Sequence, residues 1–338
     1  MMSIAAAMSR TRRAASLLLL FCAFFVDQVA CKGGKGGGGR KGGGSDFSGD
    51  SSSLNLDPGL TAVFAITIII AVFTLYQLGR SANRLKKPVL PPGAPTLQYD
   101  VGKLFLWTLF SYLVIYLLWN ILFAVFIVVD NGIAISPLAA GVYFVGQASD
   151  VLFLGMVLAI IAYRQRIQLN PGEKLFNLKS FLDGWVLSTM LLLGVAQDAL
   201  LGAAMGGMIF PNSLDILNFS IAYEAFNFVA SMNVIGTAIM AYRRMNKSGI
   251  TDNILRSAAL FVSPFIFIRA LYRIIAVGLT ANVRNGVFID RETLFIVTTV
   301  IGGVTSIIVA GLCLFMGAPP TPKKGDKNKD VQYEPVKV

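Results

Sequence analysis

Five ionisable side chains stand inside long apolar stretches of this 338-residue sequence: Asp150, Asp198, Glu224, Arg269 and Arg273. Amides and a phenol accompany them. Gln147 precedes Asp150, Gln197 adjoins Asp198, Asn227 follows Glu224, Tyr272 lies between the two arginines, and Asn120 interrupts an apolar run of its own. Carboxylates and guanidiniums in such surroundings can pair with one another, hold a proton, or grip the polar head of a ligand. Arg269, Tyr272 and Arg273 share one helical face by the three-and-four rule. Ser220, Glu224, Asn227 and Ser231 recur at steps of four, three and four, which draws a polar seam along another helix. Asn120, Gln147, Asp150, Asp198, Glu224, Asn227, Arg269, Tyr272 and Arg273 are therefore the candidates for a ligand-binding or buried polar network.

Three acids face two arginines in this set. Arginine stays charged, so at most two acids are neutralised by pairing, and the third must carry a proton, bind a cation or meet water. Arg269→Ala is expected to be the most damaging change, because it leaves acids without a partner. At least one acid-to-amide exchange is expected to be tolerated for folding while altering function or its pH dependence; Asp150→Asn and Glu224→Gln are the candidates, since Gln147 and Asn227 already stand beside those acids. Two readings stay open: a polar cavity lined from several helices, or ion pairs that fix which helices pack together.

The elements that carry these residues are membrane spans. The chain is 55% hydrophobic and 14% charged, too apolar for a soluble domain to cover. Spans are read at 60–78, 102–129, 138–163, 184–209, 216–242, 257–280 and 293–316, each long enough to cross a bilayer. The fold class is all-α, a bundle of seven transmembrane helices. Lysines and arginines fall in alternate connections. Arg80, Arg84, Lys86, Lys87 and Lys103 are in the first, Arg164, Arg166, Lys174 and Lys179 in the third. Arg243, Arg244, Lys247 and Arg256 are in the fifth, and five lysines are in the C-terminal tail. The other connections hold only Arg284 and Arg291. The positive-inside rule then places the C-terminus in the cytosol and the N-terminus in the lumen or outside the cell.

Arg10, Arg12 and Arg13 precede an apolar run from Ala14 to Val26, followed by small residues near Ala30. Such a run is too short to cross the hydrocarbon core, so residues 1–30 read as a signal peptide, with an uncleaved anchor as the alternative. Residues 31–59 are rich in glycine, lysine and serine and read as a disordered lumenal tail. Residues 60–316 form the membrane domain, and 317–338 a disordered cytosolic tail. Pro264 should kink the sixth span. Gly202 with Gly206, and Gly302 with Ser306 and Ala310, make small-residue stripes that permit close helix approach. "AYRQR" at 162–166 and "AYRRM" at 241–245 read alike, as cytosolic span ends with snorkelling arginines.

The sequence contains no histidine, and its three cysteines are Cys22, Cys31 and Cys313. Haem held between paired histidines is excluded, and membrane zinc hydrolases lack their usual ligands. No lysine lies deep in a span to form a retinal Schiff base. The glycines at 33–44 have no G-K-[ST] ending. The chain is thus expected to be no enzyme, with no cofactor, no metal and no nucleic-acid partner. Its partners are the lipid bilayer and a small amphipathic ligand, and its oligomeric state is left open.

The sixth span, "SPFIFIRALYRIIAVGL" at 263–279, resembles that of fungal seven-transmembrane membrane proteins of unknown function, in which a proline precedes an arginine and a tyrosine on one face; here these are Pro264, Arg269 and Tyr272. It is also similar to the arginine–aromatic–arginine element of RTA-like fungal proteins, regarded as lipid-translocating or stress-resistance factors. The acidic residue that follows the element in that family is replaced by Ala276 and Val277. The resemblance implies a fungal multi-pass protein that handles lipid-like molecules. The expected role is translocation or handling of a small amphipathic molecule through a lumen-facing polar cavity. The alternatives are a seven-span receptor-like sensor and a structural or assembly protein. Its expected place is the secretory pathway, at the plasma membrane.

Overall fold

The computed structural model describes residues 58–86, 100–130, 137–169, 178–205, 213–283 and 291–316. The expected signal peptide, the C-terminal tail and most of the N-terminal tail lie outside these residues. Nearly all of the described residues are helical, with no strand among them, and seven helices are long and apolar enough to cross a membrane.

The first span is α1 (Pro58–Lys86), followed by α2 (Lys103–Asp130), α3 (Pro137–Leu169), α4 (Leu178–Met205) and α5 (Ser213–Lys247). The sixth span is jointed. It runs as α6 (Asn253–Ser257), a π turn (Ala258–Val262) and α7 (Ser263–Val283). The seventh is α8 (Arg291–Phe315). Helix α1 begins on Pro58, so the tail expected to reach residue 59 stops short of it. Proline suits a first helical position, where the missing N–H costs nothing. The same helix runs eight residues past its expected end, to Lys86. Its last turns are held by the seventh span: Gln77 Nε2 donates to the Ile307 carbonyl at 2.8 Å, and Arg84 donates to the carbonyls of Leu314 at 2.5 Å and Met316 at 2.9 Å. Carbonyls at a helix end have no partner within the helix, so a guanidinium is a fitting cap.

Consecutive spans are neighbours from α1 to α5. Helix α5 packs on α7, α7 on α8, and α8 returns to α1, closing a ring in which α3 also touches α5. The third span is the most enclosed, with 56% of its apolar window buried against 11% for the fourth, so α4 turns most of its surface outward. On α2, Tyr112, Tyr116, Trp119 and Phe123 form an aromatic ladder, with successive centroids 5.5, 5.6 and 5.1 Å apart. Phe153 of α3 leans on its Tyr112 rung at 5.5 Å. One end of the bundle, the basic end, gathers Arg84, Lys86, Arg164, Arg166, Lys179, Arg243, Arg244 and Lys247 at the ends of the described helices.

The kink expected at Pro264 takes the form of the π turn just before it. A proline ring cannot donate to the carbonyl four residues back and collides with it, and widening the preceding turn relieves both faults. The backbone N–H and the hydroxyl of Ser263 both reach the carbonyl of Ala258 instead, the hydroxyl at 3.0 Å. The small-residue stripes behave differently from expectation. A side chain at Gly202 or at Gly302 would meet open space, and Gly206 lies outside the described residues. The close approach is at Gly303, where Ile70 of α1 fills the space a Cβ would need. Ser306 and Ala310 of the same stripe are buried.

Candidate functional site

Asp150 is the centre of the site. Its position on α3 turns it inward, where it is 5% exposed. Its Oδ1 accepts from Arg269 Nη2 at 2.6 Å. Its Oδ2 accepts from Arg273 Nη1 and, at 3.3 Å, from the Tyr223 hydroxyl. Arg273 turns its other nitrogens to α5, giving Glu224 Oε1 two bonds, from Nε at 3.1 Å and Nη2 at 2.5 Å. The second Glu224 oxygen accepts from Asn227 Nδ2 at 3.2 Å. The Arg269 guanidinium also lies 4.3 Å from the Phe153 ring centroid, a cation–π geometry. Two arginines one turn apart on α7 thus meet one acid from α3 and one from α5, and the cluster is neutral as a whole. Burying charge is tolerable only with such pairing.

Several polar atoms nearby keep unused hydrogen-bonding capacity. Arg269 Nη1, the hydroxyls of Tyr112 and Tyr116, and Asn120 Oδ1 are buried without a partner among the described residues. Tyr112 and Tyr116 lie within electrostatic reach of both Arg269 and Asp150, and Asn120 and Ser306 stand close to the Tyr116 hydroxyl. The other end of Asn120 donates to the Tyr116 carbonyl at 2.6 Å. These atoms form a polar vein from the ion cluster along α2. Beside it is a cavity lined by Asp150, Phe153, Asn227, Ser231 and Arg269, with about 10 Å³ open to the centre of a water-sized sphere. That is the space of about one water molecule.

The remaining candidates separate. Asp198 does not join the cluster. It sits on α4, half-buried, with Gln147 and Gln197 as its neighbours. Gln147, with its amide nitrogen turned to the acceptors, donates to the Gly194 carbonyl and to Asp198 Oδ2, each at 3.0 Å. Gly194 leaves room for this contact: a Cβ there would displace the Gln147 amide. Asp198 Oδ1 has no partner among the described residues. Asp198 is therefore the acid left over when the arginines have paired. Tyr272 is half-buried, and no hydrogen bond ties it to the cluster among the described residues.

The structure also uses residues that the sequence pattern did not single out. Tyr223 and Phe153 complete the setting of Asp150 and Arg269. Helices α4 and α5 are joined by Asp183 Oδ1 accepting from Asn233 Nδ2 at 2.7 Å, and by Lys179 Nζ donating to Thr237 Oγ1 at 2.8 Å. Burial pushes the Lys179 ammonium below the ordinary lysine value. At the basic end, Arg164 is not a snorkelling arginine. It is 1% exposed, its Nε bonds Asp252 Oδ2 at 2.7 Å, and its Nη1 donates to the Asp100 carbonyl at 2.9 Å. A mid-chain aspartate before a short apolar run, Asp252, carried the only sequence signal for this pair, as an N-cap.

Neither family models, curated proteins nor solved structures match this chain.

Proposed function

We propose that this multi-pass membrane protein is no enzyme and translocates or handles a small amphipathic or lipid-like molecule. The polar head of that molecule is taken by the cluster and vein around Asp150 and Arg269. One observation carries the reading: Arg269 Nη1, a buried charged donor without a partner among the described residues, belongs to a residue that lines the cavity. Buried polar groups without partners are rare and cost about 1–3 kcal/mol, more for a charged group, so ion pairs serving only as packing glue give no reason to leave this donor unspent. Arg269 Nη1 is a charged donor, which suits a phosphate or carboxylate head. The cavity has room for a water and not for a lipid head, so this reading requires the bundle to open to admit one.

The test uses the purified protein in phosphatidylcholine vesicles carrying a trace of headgroup-fluorescent phosphatidylcholine. Dithionite, which bleaches only the outer leaflet, should continue past that fraction as inner-leaflet lipid is brought out. Arg269→Gln should slow that phase about tenfold, equivalent to about 1.4 kcal/mol on the barrier. A plateau identical to that of protein-free vesicles defeats the translocation reading. A receptor-like sensor is then the next reading, favoured by the jointed sixth span. A structural role would require that the vein residues be replaced without consequence.

The basic end is proposed to be cytosolic, at the plasma membrane or along the route to it. The support is the bias of lysine and arginine toward the first, third and fifth connections and the C-terminal tail. Glycosylation acceptors introduced within 32–56 should be modified, and acceptors within 320–338 should not. Modification of the second set alone reverses the orientation.

A further inference from the structure

The third and sixth spans are tied together twice, with the charges reversed. Near the middle of the span the acid, Asp150, belongs to α3 and the arginines to α7. At the basic end the arginine, Arg164, belongs to α3 and the acid, Asp252, opens α6. The two ties leave α3 fourteen residues apart, about 21 Å along the helix at 1.5 Å per residue. Between them the sixth span is at its weakest, because the π turn 258–262 and Pro264 interrupt the regular ladder of backbone hydrogen bonds.

The tie at the basic end is built with care. Asp252 is 5% exposed and has three bonds: Oδ1 caps the helix by accepting from Ile254 N at 2.8 Å and Leu255 N at 3.1 Å, and Oδ2 takes Arg164. Arg164 reaches on to Asp100, whose own carboxylate accepts from the Tyr163 hydroxyl at 2.6 Å and the Gly102 N–H at 2.9 Å. Gly102 has φ +75° and packs its Cα against the Tyr163 ring, a place for glycine alone. The strap before α2, the end of α3 and the start of α6 are therefore locked at one point. The piece they hold is only five residues of helix, with Ile254 and Leu255 buried beneath it.

We infer that Arg164 and Asp252 form a latch, that α6 is an arm which the latch holds shut, and that the π turn with Pro264 is the hinge on which the arm swings away from α3. Because α7 is anchored separately by Asp150 and Glu224, the arm opens without dislodging the central cluster. The inference does not rest on what the central site binds or on which way the protein faces in the membrane.

The test is cysteine accessibility in micelles, with Cys22, Cys31 and Cys313 replaced. Leu255→Cys reports on the arm, and Ile266→Cys, at a position 1% exposed, reports on α7. Asp252→Asn removes the charge while keeping an N-cap acceptor. It should speed maleimide labelling at 255 about tenfold, equivalent to about 1.4 kcal/mol in the opening equilibrium, and leave labelling at 266 unchanged. No change at 255, or an equal rise at both, overturns the latch. Hydrogen exchange on the unaltered chain tests the hinge independently of any substitution. Amides of 254–262 should exchange faster than those of 265–275, and equal protection overturns the separate arm.

Discussion

Asp150→Ala is expected to cost about 3–5 kcal/mol of folding stability, more than any other single change in the central cluster. The reason is how the partners are shared. Arg273 retains Glu224 when Asp150 is lost, but Arg269 has no other acid among the described residues. It would remain as a buried cation with only the Phe153 ring beside it. Removing Arg269 is gentler, because Asp150 keeps Arg273 and Tyr223. From the sequence, the greatest damage to folding or activity is expected at Arg269, with Asp150→Asn one of two candidates for a tolerated exchange; the geometry favours the opposite order for folding. An amide at 150 cannot neutralise Arg269, and one of its two branches would turn a donor toward a guanidinium. The tolerated exchange is instead Asp198→Asn, since no arginine depends on that acid, with a change within about 0.5 kcal/mol. Thermal unfolding of the three proteins in the same micelle decides. If Asp198→Asn destabilises as much as Asp150→Ala, the assignment of the surplus acid fails.

The spans were legible because apolar runs of this length have few other uses, and the central charges were legible because nothing but function or pairing retains them in such runs. The shared face of Arg269 and Arg273 and the seam of Glu224 and Asn227 came straight from helical spacing, and both groups meet at the cluster. Spacing says nothing about distances between helices. It could count three acids against two arginines, yet it could not tell that Asp198 points toward Gln147 on the α3–α4 side. Nor could it choose between adjacent glycines: Gly302 fitted the stripe, and Gly303 meets Ile70. The size of the cavity is a property of packed side chains and has no signature in a single sequence.

The two arginine-bearing span ends show the same limit most clearly, and they set up the second large effect. "AYRQR" and "AYRRM" look interchangeable, and Arg243 and Arg244 are indeed exposed. Arg164 is buried only because Asp252, far away in sequence, arrives beside it when the sixth span docks. Arg164→Ala is therefore expected to cost about 3 kcal/mol, whereas Arg166→Ala, two residues on and exposed, should stay within about 0.5 kcal/mol. Asp252→Ala alone should cost a similar amount, since it also removes the cap, worth about 1 kcal/mol. With both side chains gone no charge is left stranded, so the double variant should be more stable than the sum of the two losses predicts. The shortfall should be about 1.5–3 kcal/mol. Additive losses would mean that the buried pair is two independent contacts, a backbone cap and an arginine held by Asp100, and that the third and sixth spans are not bound to each other through it.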